Sequence, residues 1–300
     1  MRFMMLVKAT KDFEAGSWPD EQLLSEIKAR WTEELVKAGA RLDSGRLQPS
    51  AQGVRVRYAN GKFTVTDGPF AETKELIAGF CLLQVNSREE AIEWAKRVPF
   101  QEGEIELRPL YELFDFPVDP AEKPEGWREK EEQLRAAPPV GKPGPIRYMA
   151  LVKADPDTEA GVLPDKKFLA AMGAFLEEGV KSGVYLSAAG LQPSSKGARV
   201  RYSGSKRLVI DGPFAETKEL IAGYVIVQFT SKGEAIAWTK RFMREQIRKK
   251  IKNEDLVQVD APGRLGAESE CEIREIFEYE NFGPSEAAER FRKLGVGTKR

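Results

Sequence analysis

The chain carries DGPFAETKELIAG twice, as Asp67–Gly79 and unchanged as Asp211–Gly223. An exact internal repeat restricts the fold first, because both copies must build the same unit and the two units must then share one molecule. The repeat is wider than the 13-residue stretch. FMMLVKA (Phe3–Ala9) answers YMALVKA (Tyr148–Ala154), LQPS at Leu47–Ser50 recurs at Leu191–Ser194, and RVRY at Arg55–Tyr58 recurs at Arg199–Tyr202. From Leu47 to Trp94 every residue has its counterpart 144 positions later.

Each copy resolves into elements. MMLVKA and MALVKA predict a first strand. Residues 20–38 predict a helix with Leu24, Ile27, Trp31 and Leu35 on one stripe; Phe168, Met172, Phe175 and Leu176 serve the second copy. A short strand ends in GRLQPS or AGLQPS. VRVRYANGKFTVT alternates about Asn60-Gly61, a hairpin signal. ELIAGFCLLQV predicts a buried strand. Ser87 with Glu90, and Ser231 with Glu234, predict capping boxes opening a second helix. A last strand, EIELRPLYELF or ECEIREIFEYE, closes the unit. This order of mixed strands and helices, with helices on one sheet face, is α+β. A module of this kind leaves a sheet face open, and the second copy is its natural cover, so we expect a pseudo-dimer within one chain.

The first module is expected over residues 1–116 and the second over 146–282, with a tail at 283–300. Between them, residues 117–145 hold seven of the 18 prolines and predict a semi-rigid linker around a short charged helix. The second copy has 22 extra residues, near 241–264, with six basic residues between Arg241 and Lys252. We read these as a longer solvated helix with Phe242 and Ile251 tucked down, with an anion or nucleic-acid patch as the alternative, because no aromatic platform accompanies the charge.

Composition narrows the chemistry. There is no histidine, which removes Ser-His and Cys-His nucleophile pairs and histidine metal sites. Lys plus Arg equals Asp plus Glu at 47 each, so net charge makes no case for nucleic acid or an anionic membrane. Cys81 and Cys271 stand far apart and read as small core hydrophobes. No cofactor fingerprint and no metal cluster is expected. The N-terminal apolar stretch is too short for a signal peptide, and a cytoplasmic protein is the expectation.

Turn chemistry accounts for Asp67-Gly68-Pro69, and Phe70 is the expected core anchor. Glu72-Thr73-Lys74-Glu75 is not specified by turn or core. The first helices, by contrast, share only four residues: Glu33, Glu34, Val36 and Lys37. Thirteen identities therefore call for a cause of their own: a ligand pocket, the seam between the modules, or a gene conversion that copied one stretch onto the other. If there is catalysis, Asp67 or Glu72 would accept a proton and Lys74 would steady negative charge, with Asp211, Glu216 and Lys218 as equivalents. Candidate ligand-binding residues are Thr73, Thr217, Lys8, Lys153, Gln48 and Gln192. For the two lysines a solvated strand end is the plainer reading, and for the two glutamines a turn role. Arg55, Arg57, Arg199 and Arg201 read as an exposed charged face, with an anion site as the alternative.

DGPFAETKE, the strand after it, and the closing ELRPLYE and EIREIFE resemble the YCII-related family, in particular its DGPF-motif branch. The resemblance implies ferredoxin-like modules paired into a dimeric α+β barrel, here within one chain. It further implies either binding of a small polar or anionic molecule near the two motifs or, alternatively, a partner-binding accessory role. Proteins of the DGPF type are frequently encoded beside extracytoplasmic-function sigma factors, which points to regulation. The wider family is associated with a His-Asp pair, of which Asp67 and Asp211 can supply only the aspartate.

Overall fold

The computed structural model describes residues 1–16, 21–71, 76–112, 146–164, 166–214, 220–253 and 268–277, with Asp115, Glu289 and Lys293 besides. Side chains are not described at 21–28, 166–168, 170–171 and 246–253. The first copy runs β1 (Arg2–Lys8), α1 (Lys11–Glu14), α2 (Glu21–Lys37), β2 (Arg41–Arg46), β3 (Val54–Ala59), β4 (Lys62–Asp67), β5 (Ile77–Gln84), α3 (Arg88–Lys96) and β6 (Glu102–Pro109). The second repeats it as β7 (Ile146–Lys153), α4 (Pro156–Glu159), α5 (Lys166–Lys181), β8 (Tyr185–Gly190), β9 (Ala198–Ser203), β10 (Lys206–Asp211), β11 (Ile221–Phe229), α6 (Lys232–Asn253) and β12 (Ser269–Glu275).

Local signals act as expected. Asn60 and Gly61 both have positive φ, 51° and 76°, which is the mirror-image turn that matches strand twist in a two-residue hairpin. Ser87 Oγ accepts from Glu90 N at 3.2 Å to start α3, while Glu90 Oε2 accepts from Asn86 N at 2.8 Å, one residue before the cap. Ser231, Glu234 and Thr230 N repeat this arrangement ahead of α6.

What sequence order does not reveal is which sheet each hairpin joins. There are two six-stranded antiparallel sheets, ordered β10-β9-β6-β1-β5-β2 and β4-β3-β12-β7-β11-β8. The hairpin β3–β4 belongs to the first copy by sequence and to the second by pairing, since β3 lies on β12 with Arg55 opposite Glu272. Reciprocally β9 lies on β6, with Arg199 opposite Glu106. Each copy thus completes the other's sheet.

Period-two alternation sends one face of each sheet to its helices and the other to the opposite sheet. On the helix side of the first sheet, Phe3, Met5, Ile105 and Leu107 join Val200 and Tyr202 from the exchanged hairpin. The second sheet matches this with Val54 and Val56, Cys271 and Ile273, beneath Phe175, Trp238 and Phe242. Between the sheets, Met4, Leu6, Phe80 and Leu82 meet Met149, Leu151, Tyr224 and Ile226. The basic extension is helical to Asn253, with Phe242 buried and stacked on Trp238 at 5.5 Å, as expected. The Ile251 side chain and residues 254–267 lie outside the described residues. The extension reaches the exchanged hairpin, where the Arg244 guanidinium lies 5.2 Å from the Phe63 ring. No described helix is long and apolar enough to cross a membrane.

Candidate functional site

On β6 the side chains of Glu106 and Arg108 leave the helix-side face taken by Ile105 and Leu107 and join the inter-sheet face, beside Leu6 and Met4 of β1. Lys8 continues that face by alternation. Here a strip of charge is sealed inside the protein: Glu106 and Arg108 are wholly buried and only 9% of the Lys8 side chain is exposed. Burying charge is costly unless each group is paired and hydrogen-bonded, and every one of these groups is paired.

The pairing forms a circuit across the two copies. Arg108 Nη1 meets Glu106 Oε1 at 3.1 Å, and its Nη2 meets Glu159 Oε1 at 3.0 Å. Glu159 Oε2 accepts from Ser194 N at 3.0 Å, and Ser194 Oγ accepts from Phe214 N at 3.2 Å. The Phe214 ring lies 4.1 Å from the Arg199 guanidinium, and Arg199 Nη2 returns to Glu106 Oε2 at 3.0 Å. Arg108 Nε also donates to the Gln192 carbonyl at 2.9 Å. A second circuit repeats the first with the copies exchanged: Arg274–Glu272 at 2.9 Å, Arg274–Glu14 at 3.4 Å, Glu14 to Ser50 N at 2.9 Å, Ser50 Oγ to Phe70 N at 3.2 Å, Phe70 under Arg55 at 4.2 Å, and Arg55 Nε to Glu272 Oε2 at 3.1 Å. Arg274 Nε donates to the Gln48 carbonyl at 2.8 Å.

These circuits give the DGPF stretch its reason. A Cβ placed on Gly68 would lie 1.8 Å from the Ser50 carbonyl oxygen, and one on Gly212 would lie 1.9 Å from that of Ser194. Only glycine lets the motif settle on the LQPS turn, where the Phe ring then supports the arginine. The other end of the motif serves the opposite circuit: Ile77 sits opposite Lys8, and Ala9 N donates to the Leu76 carbonyl at 2.7 Å. In the second copy Ile221 sits opposite Lys153. Each motif therefore starts in one circuit and finishes beside the other, so neither end is free to drift.

The candidate residues separate accordingly. Glu72, Thr73, Lys74, Glu216, Thr217 and Lys218 lie outside the described residues. Asp67 and Asp211 are exposed and pair with the other copy, Asp67 with Lys232 at 3.6 Å and Asp211 with Arg88. Lys8 and Lys153 are buried in the circuits rather than solvated. Gln192 Nε2 reaches the Leu110 carbonyl at 3.2 Å and Asp115 at 3.3 Å, and Gln48 contributes its carbonyl. The expected exposed face of arginines is half right. Arg57 and Arg201 are exposed, but Arg55 and Arg199 are drawn in by the glutamates of the exchanged partner strand.

Sequence reasoning missed Glu106, Arg108, Glu272, Arg274, Glu14, Glu159 and the two serines. In EGEIELRP and SECEIRE charged and apolar residues alternate, which in sequence reads as a strand with one solvated face, so nothing there marks Glu106, Arg108, Glu272 and Arg274 as buried. The electrostatics follow from the geometry. Burial pushes the Glu106 carboxyl up, but Lys8, Arg108 and Arg199 more than offset it and hold it at about 2. Burial pushes the thiols of Cys81 and Cys271 up to about 12, in keeping with core side chains. Among the described residues no group of histidine, cysteine, aspartate or glutamate is placed to hold a metal ion.

Fold and site together define a duplicated α+β protein whose polar centres are each built by both copies. The YCII-related domain matches residues 1–114 and 146–243, and the chain belongs to that family. It is also similar to an uncharacterized protein of Rhizobium meliloti (strain 1021), with 35% identity over 94 residues, covering 30% of this chain and 75% of the relative.

Proposed function

We propose that this chain is a DGPF-branch member of its family that binds a small anionic molecule at the seam between its two copies. The observation that carries this reading is the placing of Lys8 and Lys153, buried cations at the strand ends beside which the repeated motif finishes. In this reading residues 1–116 and 146–282 are ferredoxin-like modules whose sheets close as an intrachain dimeric α+β barrel. Hydrogen bonds that stitch the sheet edges support that closure, from Gln48 N to the Glu275 carbonyl at 2.8 Å and from Gln192 N to the Pro109 carbonyl at 2.9 Å. The test is calorimetric titration with inorganic phosphate and with malonate at constant ionic strength. Saturable heat in the parent, lost in a Lys8→Met/Lys153→Met double variant, is expected; no saturable heat in the parent overturns the reading.

A second reading has an observation of its own: the DGPF end of each motif is consumed in contacts with LQPS and with the other copy. Under it the motif secures the seam, and the protein acts as a non-catalytic accessory to a protein partner. Absence of anion binding together with a large loss of stability in Gly68→Ala would favour it.

A further inference from the structure

The two circuits share a plan but not a state of completion. In the first, one carboxylate oxygen, Glu106 Oε2, takes Lys8 Nζ at 3.1 Å and Arg199 Nη2 at 3.0 Å. In the second, the corresponding oxygen, Glu272 Oε2, takes Arg55 through Nε at 3.1 Å while Lys153 Nζ stands off at 4.0 Å, beyond hydrogen-bond distance. Arg55 Nη2 is buried and, among the described residues, meets no acceptor. The second circuit therefore holds two cationic donors that its own carboxylates do not satisfy, and both belong to groups converging on the same Glu272 oxygen.

An unsatisfied buried donor forfeits its hydration without return, and a buried ammonium does so more steeply than a neutral group. The Lys153 side chain is only 9% exposed, so water gives it little relief. The Phe70 ring under Arg55 fixes the plane of the guanidinium, so Nη2 cannot swing out to solvent without losing that support. A tetrahedral or carboxylate oxyanion supplies what is missing: several acceptor atoms within a few ångströms and a negative charge to set against two cations. With only 9% of the Lys153 side chain exposed, a compact group is favoured over a bulky one.

Resting on the anion-binding reading above, we propose that the second circuit alone is the binding site, taking one small oxyanion per chain between Lys153 and Arg55, and that the first circuit is a closed structural counterpart. Duplication within one chain makes this division possible, since two copies in one polypeptide can specialise where two identical subunits cannot.

The experiment is titration of the intact chain with inorganic phosphate at constant ionic strength, read by calorimetry and by the lysine ε-methylene NMR resonance assigned through its absence from Lys153→Met. We expect a stoichiometry of one, a shift of the Lys153 resonance, and binding weakened about tenfold or more in Lys153→Met, as for loss of a charge-assisted hydrogen bond. Lys153→Arg, which keeps the charge, recovers part of the affinity and separates lost binding from damaged folding. Two equivalent sites, or unchanged affinity in Lys153→Met, overturns the assignment while leaving anion binding intact. No binding in the parent overturns both.

Discussion

Arg274 is the most informative side chain to remove. It is fully buried and its guanidinium is divided among the Gln48 carbonyl, Glu272 and Glu14. Arg274→Met has comparable volume and no charge, so it leaves the packing nearly filled but strands two buried carboxylates and a carbonyl. Glu272 would keep Arg55 and Glu14 would keep Ser50 N, so the loss is partial. Breaking a buried ion pair from one side costs about 3–5 kcal/mol. For a unit of this size each kcal/mol moves the midpoint by about 2–4 °C, giving an expected fall of roughly 6–20 °C in a thermal melt followed by circular dichroism. Arg108→Met, at the equivalent place, belongs in the same range. The double variant Arg274→Met/Glu272→Met should recover none of the loss, because removing Glu272 also takes their carboxylate from Arg55 and Lys153. A single-variant loss below about 1 kcal/mol, the range of exposed pairs, would refute the claim that these circuits secure the seam.

Three further outcomes are expected. Gly68→Ala would force a methyl to within 1.8 Å of the Ser50 carbonyl, so the DGPF stretch must leave its turn; denaturant unfolding should register on the order of 2–4 kcal/mol, against about 1 kcal/mol for Gly61→Ala, whose added methyl meets nothing. The depressed Glu106 carboxyl contributes stability that is full above its unfolded value of about 4.3 and is lost as pH falls toward about 2. Urea titrations should therefore show the gap between parent and Glu106→Gln narrowing as pH drops through that window; a gap independent of pH would contradict the assignment. Residues 1–116 expressed alone lack the exchanged hairpin that β6 requires, and should associate as a homodimer by trading β3–β4; light scattering that finds a stable, folded monomer would show the exchange to be dispensable.

Most of the elements were legible because their causes are local. Asn60-Gly61 turns a hairpin, Ser87 caps a helix, the alternation in VRVRY assigns faces, and the unbroken apolar run IAGFCLL marks a strand buried on both sides, all without reference to the partner. Arg55 shows where that legibility stops. By alternation it lies off the helix-side core, which in sequence looks the same as pointing to water. It is drawn in only because β3 crosses to β12, where Glu272 of the other copy stands opposite. Lys8 and Lys153 look like strand-end lysines until the second sheet covers them.

The sequence by itself determined the duplication, the α+β order of elements and the lack of histidine chemistry. Only the tertiary structure decided that the hairpins are exchanged, that Glu106 with Arg108 and Glu272 with Arg274 sit in the seam, and that each motif begins in one circuit and ends at the other. The reason is physical. Propensity and periodicity act over a few residues, whereas a buried charge is tolerable only where its partners come, and these come from 93 and 217 positions away in sequence.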